Sequence, residues 1–314
     1  MESIFDDNFK HFKIGDRPDQ YDYFKLEDKV ADDGIIKYNL NRNFLNVDSH
    51  VFTKVWEPVI SGAPTSFLDH TKLVVIRNQS ISLDKDSLLV MEAEVDGMQN
   101  FGLLPSCYKD QISSLHSDFR IAGGAVNCLD LKPIDGDQPS NMVFDFIITN
   151  DTIWAVYERL PFGKRDFGGN QDYQSFTCAI PIYSRNDPKR FVKLSIIFDR
   201  SRSEVHFLVE DEVRLVIDNI GFPLEEYMIY NGGGIPTKVD LKRISFGFGT
   251  FSILDMTDPN DPYSKTGLLQ LNKDDYYEKP YDFTSVSDDP SKRLRLFGNG
   301  FILRLKQMRA YKVY

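Results

Sequence analysis

Acids at alternate positions, and an indole beside two more acids, are the side chains here with the most chemical reach. Glu92, Glu94 and Asp96 alternate with Met91, Ala93 and Val95. In a strand that alternation puts the three acids on one face, about 7 Å apart along the chain. Repulsion between close like charges raises one pKa, which is what an acid/base pair uses, and the spacing is of the order glycosidases employ. The plainer expectation for such a pattern is a solvated outer face. Asp145, Trp154 and Glu158 form a sharper group. The run Met142–Thr149, the turn Asn150-Asp151 and the run Thr152–Arg159 read as a hairpin, because Asn and Asp tolerate the positive φ of a two-residue loop. Its register pairs Ile147 with Trp154, Asp145 with Val156 and Val143 with Glu158. Met142, Phe144, Phe146, Ile148, Ile153, Ala155, Tyr157 and Arg159 then share a mostly apolar face. Asp145, Trp154 and Glu158 share the other, with Asp145 diagonal to Glu158 at about 7–8 Å between backbones. An indole on a sheet face can stack a sugar ring, and a carboxyl beside it can bind or transfer protons; loops covering that face would make Trp154 a packing residue instead.

Other candidates are weaker. None of the five histidines lies within four residues of another, so no local zinc motif exists; His206 alone is placed by register on an open face, as a base or ligand contact. The loop from Pro161 to Asp172 mixes Arg165, Phe162 and Phe167 with glycines directly after Glu158 and reads as a lid, with Arg165 and Phe167 contacting ligand. Tyr157 and Arg159 read as structural, a buried hydroxyl with a partner and a guanidinium paired with an acid. Asp255, Asp258, Asn260 and Asp261 are oxygen ligands of the kind calcium takes but lack EF-hand order, so no metal or cofactor is expected. Nucleophile-elbow, P-loop and dinucleotide motifs are missing, and Gly232-Gly233-Gly234 reads as a turn.

The elements that must hold these residues are strands. Apolar-alternating runs separated by Gly, Asn, Asp or Pro clusters recur at Lys72–Arg77, Leu88–Asp96, Ala125–Leu131, Phe176–Tyr183, Val192–Asp199, Glu204–Val209, Val213–Ile217, Arg243–Leu254 and Phe301–Met308, which predicts an all-β sandwich or barrel. A second hairpin, Val192–Asp199 with Glu204–Val209, puts Leu194, Ile196, Phe198, Val205 and Phe207 on one face. Helical spacing is confined to Tyr108–Phe119 and Leu224–Tyr230. We expect one domain over 1–314: N-terminal strands and loops to 68, a core sandwich over 69–254, a loop excursion over 255–295 and a closing strand over 296–314.

With 37 basic against 47 acidic side chains the formal charge is −10, a surface that repels phosphate backbones and anionic lipid, so neither nucleic acid nor membrane is an expected partner. The acidic start lacks the apolar stretch of a secretory leader, and the three widely spaced cysteines suggest no disulfide framework, which reads as a cytoplasmic chain. Oligomeric state is not legible.

The segments Val192 to Gly221, Val143-Phe-Asp-Phe-Ile-Ile-Thr149, Tyr157-Glu-Arg-Leu-Pro161, Ile244-Ser-Phe-Gly-Phe-Gly-Thr250 and Leu296-Phe-Gly-Asn-Gly300 resemble an uncharacterised family of concanavalin A-like jelly rolls, the lectin and glucanase fold. The resemblance runs from about Asp69 to the C-terminus. It implies two curved antiparallel sheets with a concave face on which related proteins bind or cleave glycans. Glucanases of this fold carry Glu-x-Asp-x-x-Glu; the nearest match is Glu94-Val-Asp96-Gly-Met-Gln99, where an amide replaces the acid/base carboxyl and leaves Gln99 a ligand contact at most.

The function expected from the residues is acid/base carboxylate chemistry on a small organic molecule in the concave cleft, of hydrolase, isomerase or cyclase type. The alternatives are a glycan-binding or glycoside hydrolase-like protein and a non-catalytic structural or interaction protein. All of these assume that Glu92, Glu94, Asp96, Asp145, Trp154 and Glu158 face a common hollow.

Overall fold

The computed structural model describes residues 1–25, 32, 34–49, 71–101, 122–134, 136–251 and 299–314. Its strands, in chain order, are β1 (Glu2–Asp7), β2 (Tyr21–Tyr23), β3 (Ile35–Asn39), β4 (Phe44–Asp48), β5 (Thr71–Arg77), β6 (Ile81–Ser82), β7 (Leu88–Phe101) and β8 (Gly123–Asp130). They continue with β9 (Met142–Ile148), β10 (Thr152–Arg159), β11 (Phe176–Ser184), β12 (Val192–Asp199), β13 (Glu204–Val209), β14 (Glu212–Ile217), β15 (Met228–Asn231), β16 (Arg243–Phe251) and β17 (Asn299–Val313). The chain is an all-β jelly-roll sandwich of two antiparallel sheets. One has eight strands, ordered β14-β13-β12-β7-β17-β4-β3 with β1 also on β17; the other has nine, ordered β15-β11-β10-β9-β8-β16-β5-β2 with β6 on β16.

Both hairpins form in the expected register, although neither Asn150 nor Asp151 adopts a positive φ. Ile147 faces Trp154, Asp145 faces Val156 and Val143 faces Glu158, while Ile196 faces Phe207 and Asp199 faces Glu204. Leu224–Tyr230 is not a helix: a 3-10 turn at Glu225–Tyr227 runs straight into β15, which pairs with β11. Pro223 pre-sets the turn, and Met228 and Tyr230 gain more by pairing with Cys178 and Thr177 of β11 than a lone helical turn can gain from one hydrogen bond. The helix expected at Tyr108–Phe119 and the loop excursion over 255–295 lie outside the described residues.

The core lies between the sheets. Leu89, Met91, Ala93 and Val95 of β7 meet Phe144, Phe146, Ile148, Ala155 and Tyr157 in one buried cluster. Phe144 sits edge-on to Phe198 at 5.6 Å and Phe146 edge-on to Phe207 at 5.2 Å, each contact joining the two sheets. Near the opposite end, two glycines make room for one ring. A Cβ on Gly97 of β7 would lie 2.4 Å from the Phe301 ring, and one on Gly124 of β8 would lie 2.6 Å from it. An alanine at either position therefore overpacks the core, and we expect Gly124→Ala to cost about 1–3 kcal/mol. Urea denaturation checks this: Phe301→Leu in the same chain should recover part of the loss, and an unchanged midpoint for Gly124→Ala refutes the packing account.

Inward parity sets everything else. On β7 the inward side chains are odd-numbered, so Glu92, Glu94 and Asp96 leave the eight-stranded sheet outward. On β9 the inward side chains are even-numbered, so Asp145 leaves the nine-stranded sheet outward, on the other side of the molecule. The two carboxylate groups do not share a hollow.

Candidate active site on the outer face of the nine-stranded sheet

Thr177, Glu158, Asp145 and Asn127 form a diagonal polar band across β11, β10, β9 and β8. Glu158 stands directly opposite Thr177, and Asp145 opposite Asn127. Apolar clusters flank the band on both sides. One contains Ala125, Ile147, Val156, Ala179 and Phe251, with Trp154 packed against it. The other contains Phe24, Ile76, Leu129, Val143 and Leu160, with Phe162 packed against it. Trp154 is half-buried and lies on the same face as Glu158, separated from it by Val156.

Both acids are buried, Asp145 at 8% exposure and Glu158 at 3%. Asp145 accepts hydrogen bonds from Asn127 Nδ2 at 2.7 Å and from the Cys128 backbone N–H at 3.1 Å. Glu158 Oε1 accepts from Thr177 Oγ1 at 2.6 Å. Those bonds favour the charged forms, but among the described residues no cation faces either acid, and desolvation wins. Burial pushes Asp145 up to about 7 against the Asn127 and Cys128 bonds. Burial pushes Glu158 up to about 8 against the Thr177 bond, with the charge on Asp145 adding to the rise. Asn127 Oδ1 is buried with no hydrogen-bond partner, an acceptor held open beside the two acids. At neutral pH Asp145 is thus poised between its two forms while Glu158 keeps its proton, the unequal pair that general acid–base chemistry requires.

Glu92, Glu94 and Asp96 occupy a different environment. The closing strand β17 runs beside β7 and supplies a cation for each: Arg309 and, from β12, Lys193 for Glu92; Lys306 for Glu94 at 2.6 Å; and Arg304 for Asp96 at 2.5 Å. Burial alone would raise Glu92, but the Lys193 and Arg309 hydrogen bonds outweigh it and hold the carboxyl below its ordinary value. Asp96 is fully buried, and desolvation lifts it to about 6 despite Arg304. A groove of about 320 Å³ runs beside Glu92, Glu94, Phe191 and Arg309 on this face. With a cation against each acid, this strand reads as an electrostatic zipper between β7 and β17.

The remaining sequence candidates fall elsewhere. Gln99 has inward parity, opposite to Glu94 and Asp96, so it cannot stand in their row; its Nε2 donates to the Ala122 carbonyl at 3.1 Å and its Oε1 accepts from Asn150 at 3.2 Å, tying β7 to the β9–β10 turn. His206 points outward from the eight-stranded sheet, its Nε2 2.9 Å from Glu204 Oε2. Arg165 is exposed and paired with Asp172 at 3.3 Å, and Phe167 is half-buried beside it. The loop that carries them is pinned and is no flap: Lys164 Nζ donates to the Gly232 and Gly233 carbonyls, and Tyr173 Oη donates to the Leu160 carbonyl while accepting from Gly163 N–H. The Tyr157 hydroxyl accepts from Gly221 N–H at 2.7 Å. Among the described residues Arg159 has no acidic partner, contrary to expectation. The calcium-type residues Asp255 to Asp261 lie outside the described residues; among the described residues no cluster of His, Cys, Asp and Glu could hold a metal ion, and no helix is long and apolar enough to cross a membrane.

Asn127 and Thr177 were not singled out in the sequence. A hairpin turn fixes the pairing of β9 with β10, but β8 and β11 reach them through longer connections that leave the register open. The only available signal was a lone polar residue inside an otherwise apolar strand, as in Ala-Val-Asn127-Cys.

The chain is 26% identical to Uncharacterized protein L829 of Acanthamoeba polyphaga mimivirus, over 97% of this chain and 86% of that protein. Similar solved structures include the catalytic domain of an endo-1,3-beta-glucanase (laminarinase) from Thermotoga petrophila RKU-1, at 10% identity and a TM-score of 0.46 over 99% of this chain and 97% of that one. Another is an endo-1,3-beta-glucanase from Streptomyces sioyaensis, at 9% identity and a TM-score of 0.45 over 99% of this chain and 96% of that one. The model of a family of unknown function, DUF6081, matches residues 6–312, and the chain belongs to that family.

Proposed function

We propose that the band of Thr177, Glu158, Asp145 and Asn127 is an acid–base site for a polyhydroxylated, sugar-like ligand, a glycoside hydrolase-like role. Glu158 is the acid, Asp145 the base or nucleophile, and Trp154 the stacking surface. The observation that carries this reading is the unequal pair itself: two carboxyls on one sheet face, with no cation against them among the described residues, raised to about 7 and about 8. The diagonal placement separates their backbones by about 7–8 Å, which long side chains bring into the range of glycosidase carboxyl pairs. Asn127 supports the charged form of Asp145 and keeps an acceptor free for a ligand hydroxyl. The same carboxyls would serve a small organic substrate; the indole on their face favours a sugar ring.

Incubation with β-1,3-linked and mixed-linkage gluco-oligosaccharides, read by reducing-sugar release, tests the proposal. Glu158→Gln and Asp145→Asn should each lower cleavage by about 10²–10⁴-fold. At pH 3.5, where both acids are neutral in the folded chain and mostly neutral in the unfolded one, these amides should leave the melting temperature nearly unchanged. The rate should peak between about 7 and about 8, where Asp145 is charged and Glu158 is not. Cleavage that survives both substitutions refutes the assignment. Quenching of Trp154 fluorescence without cleavage would make the face a glycan-binding one.

A further inference from the structure

A second cavity, of about 190 Å³, opens at the end of the nine-stranded sheet, between the strand ends Asp130 and Arg243 and the loop residues Gln171 and Lys238. Arg159 lines it from the last position of β10, on the inward parity and thus away from Glu158. The residue is only 6% exposed. Its guanidinium lies 3.9 Å from the centre of the Tyr173 ring and donates one hydrogen bond, from Nη1 to the Thr237 carbonyl at 2.9 Å. Its Nε is buried with no acceptor.

The charges around this cavity do not balance. Each acid on its wall already holds a cation: Asp130 the Arg243 Nε at 3.0 Å, Asp137 the Lys242 Nζ at 3.4 Å, and Asp240 the Arg200 Nη2 at 2.8 Å. Among the described residues, Arg159 and the exposed Lys238 have no carboxylate. A guanidinium taken out of water without a counter-ion is among the costlier arrangements a fold can hold, and aromatic stacking with one carbonyl bond compensates it only in part. The group that completes it is an oxyanion, which accepts from the forked donors of Arg and from a nearby ammonium. At about 30 Å³ per water, the space would hold roughly six waters, or one phosphate, sulfate or carboxylate group with a small organic body.

The geometry points to a binding site for a small organic oxyanion in this cavity, with Arg159 as its buried anchor and Lys238 at its mouth, separate from the carboxyl band. Calorimetric titration of the full chain with inorganic phosphate, and in a second arm with acetate, against chloride at matched ionic strength, tests it. Wild-type protein should bind at one saturable site, and the arm that binds tighter separates a tetrahedral from a planar ligand. Lys238→Gln should weaken binding about tenfold, whereas Lys189→Gln, at an exposed lysine elsewhere, should not change it. Arg159→Gln should abolish binding; should that variant not fold, Lys238→Gln carries the test alone. No saturable binding of either anion by wild type, or equal affinities for Lys238→Gln and Lys189→Gln, overturns the site.

Discussion

Replacing Arg304 by methionine should destabilise the fold by about 3–5 kcal/mol at pH 7.5, the range for removing one partner of a buried ion pair. Asp96 has no exposed surface, and among the described residues its one hydrogen bond comes from Arg304 Nε, while Oδ2 has no partner. Arg304 also packs its guanidinium 5.4 Å from the centre of the Phe44 ring and 5.8 Å from that of Phe191, and methionine keeps much of this apolar contact. The loss should therefore be electrostatic, which fixes two further outcomes. Asp96→Asn added to Arg304→Met should restore most of the stability, because it removes the orphaned charge. Lowering the pH should shrink the defect of the single variant: the Asp96 carboxyl is at about 6 even with its partner, rises further without it, and is neutral by pH 5. Guanidinium unfolding at pH 5 and 7.5 reads both. A defect of equal size at the two pH values would mean that lost packing, and not the stranded carboxylate, is responsible.

The same residues show where the sequence is legible and where it is not. Period-2 patterning sorts Glu92, Glu94 and Asp96 from Met91, Ala93 and Val95 without error, because one wrong step would turn the whole apolar set into water. It cannot say which sheet a strand joins. β7 pairs with β17, 208 positions away at the Asp96–Arg304 contact, and no local signal reports a pairing at that range. β17 further conceals its pattern: a bulge between Leu305 and Gln307 shifts its phase, so that Leu303 and Leu305 but then Met308 and Ala310 face inward. The Asn150-Asp151 turn, by contrast, fixes the β9–β10 register, and with it the common face of Asp145, Trp154 and Glu158. Its neighbours Asn127 and Thr177 depend on pairings that only the assembled sheet sets. The short strands β1 to β4 carry too few alternations to register at all.

Stability should fall as pH rises from about 4.5 to about 8, and Glu158→Gln should remove much of that slope. An unfolded glutamate releases its proton near 4.5, whereas Glu158 in the folded chain holds its proton to about 8. Between those values the folded state binds the proton and the unfolded state does not, so each rise in pH favours unfolding. This group's contribution is fully present below about 4.5 and is lost as pH passes through about 8. At about 1.36 kcal/mol per pH unit the full span corresponds to roughly 5 kcal/mol, an upper bound because the buried site relaxes on ionisation. Asp145 adds a parallel slope that ends at about 7, and Asp96 one that ends at about 6. The amide in Glu158→Gln still accepts from the Thr177 hydroxyl and has no proton to lose. Wild type and variant should therefore unfold at similar urea concentrations at pH 5 and diverge above it, with the variant the more stable at pH 8. Parallel pH profiles for the two proteins would show that Glu158 is already ionised at neutral pH, and the carboxyl band could then supply no acid.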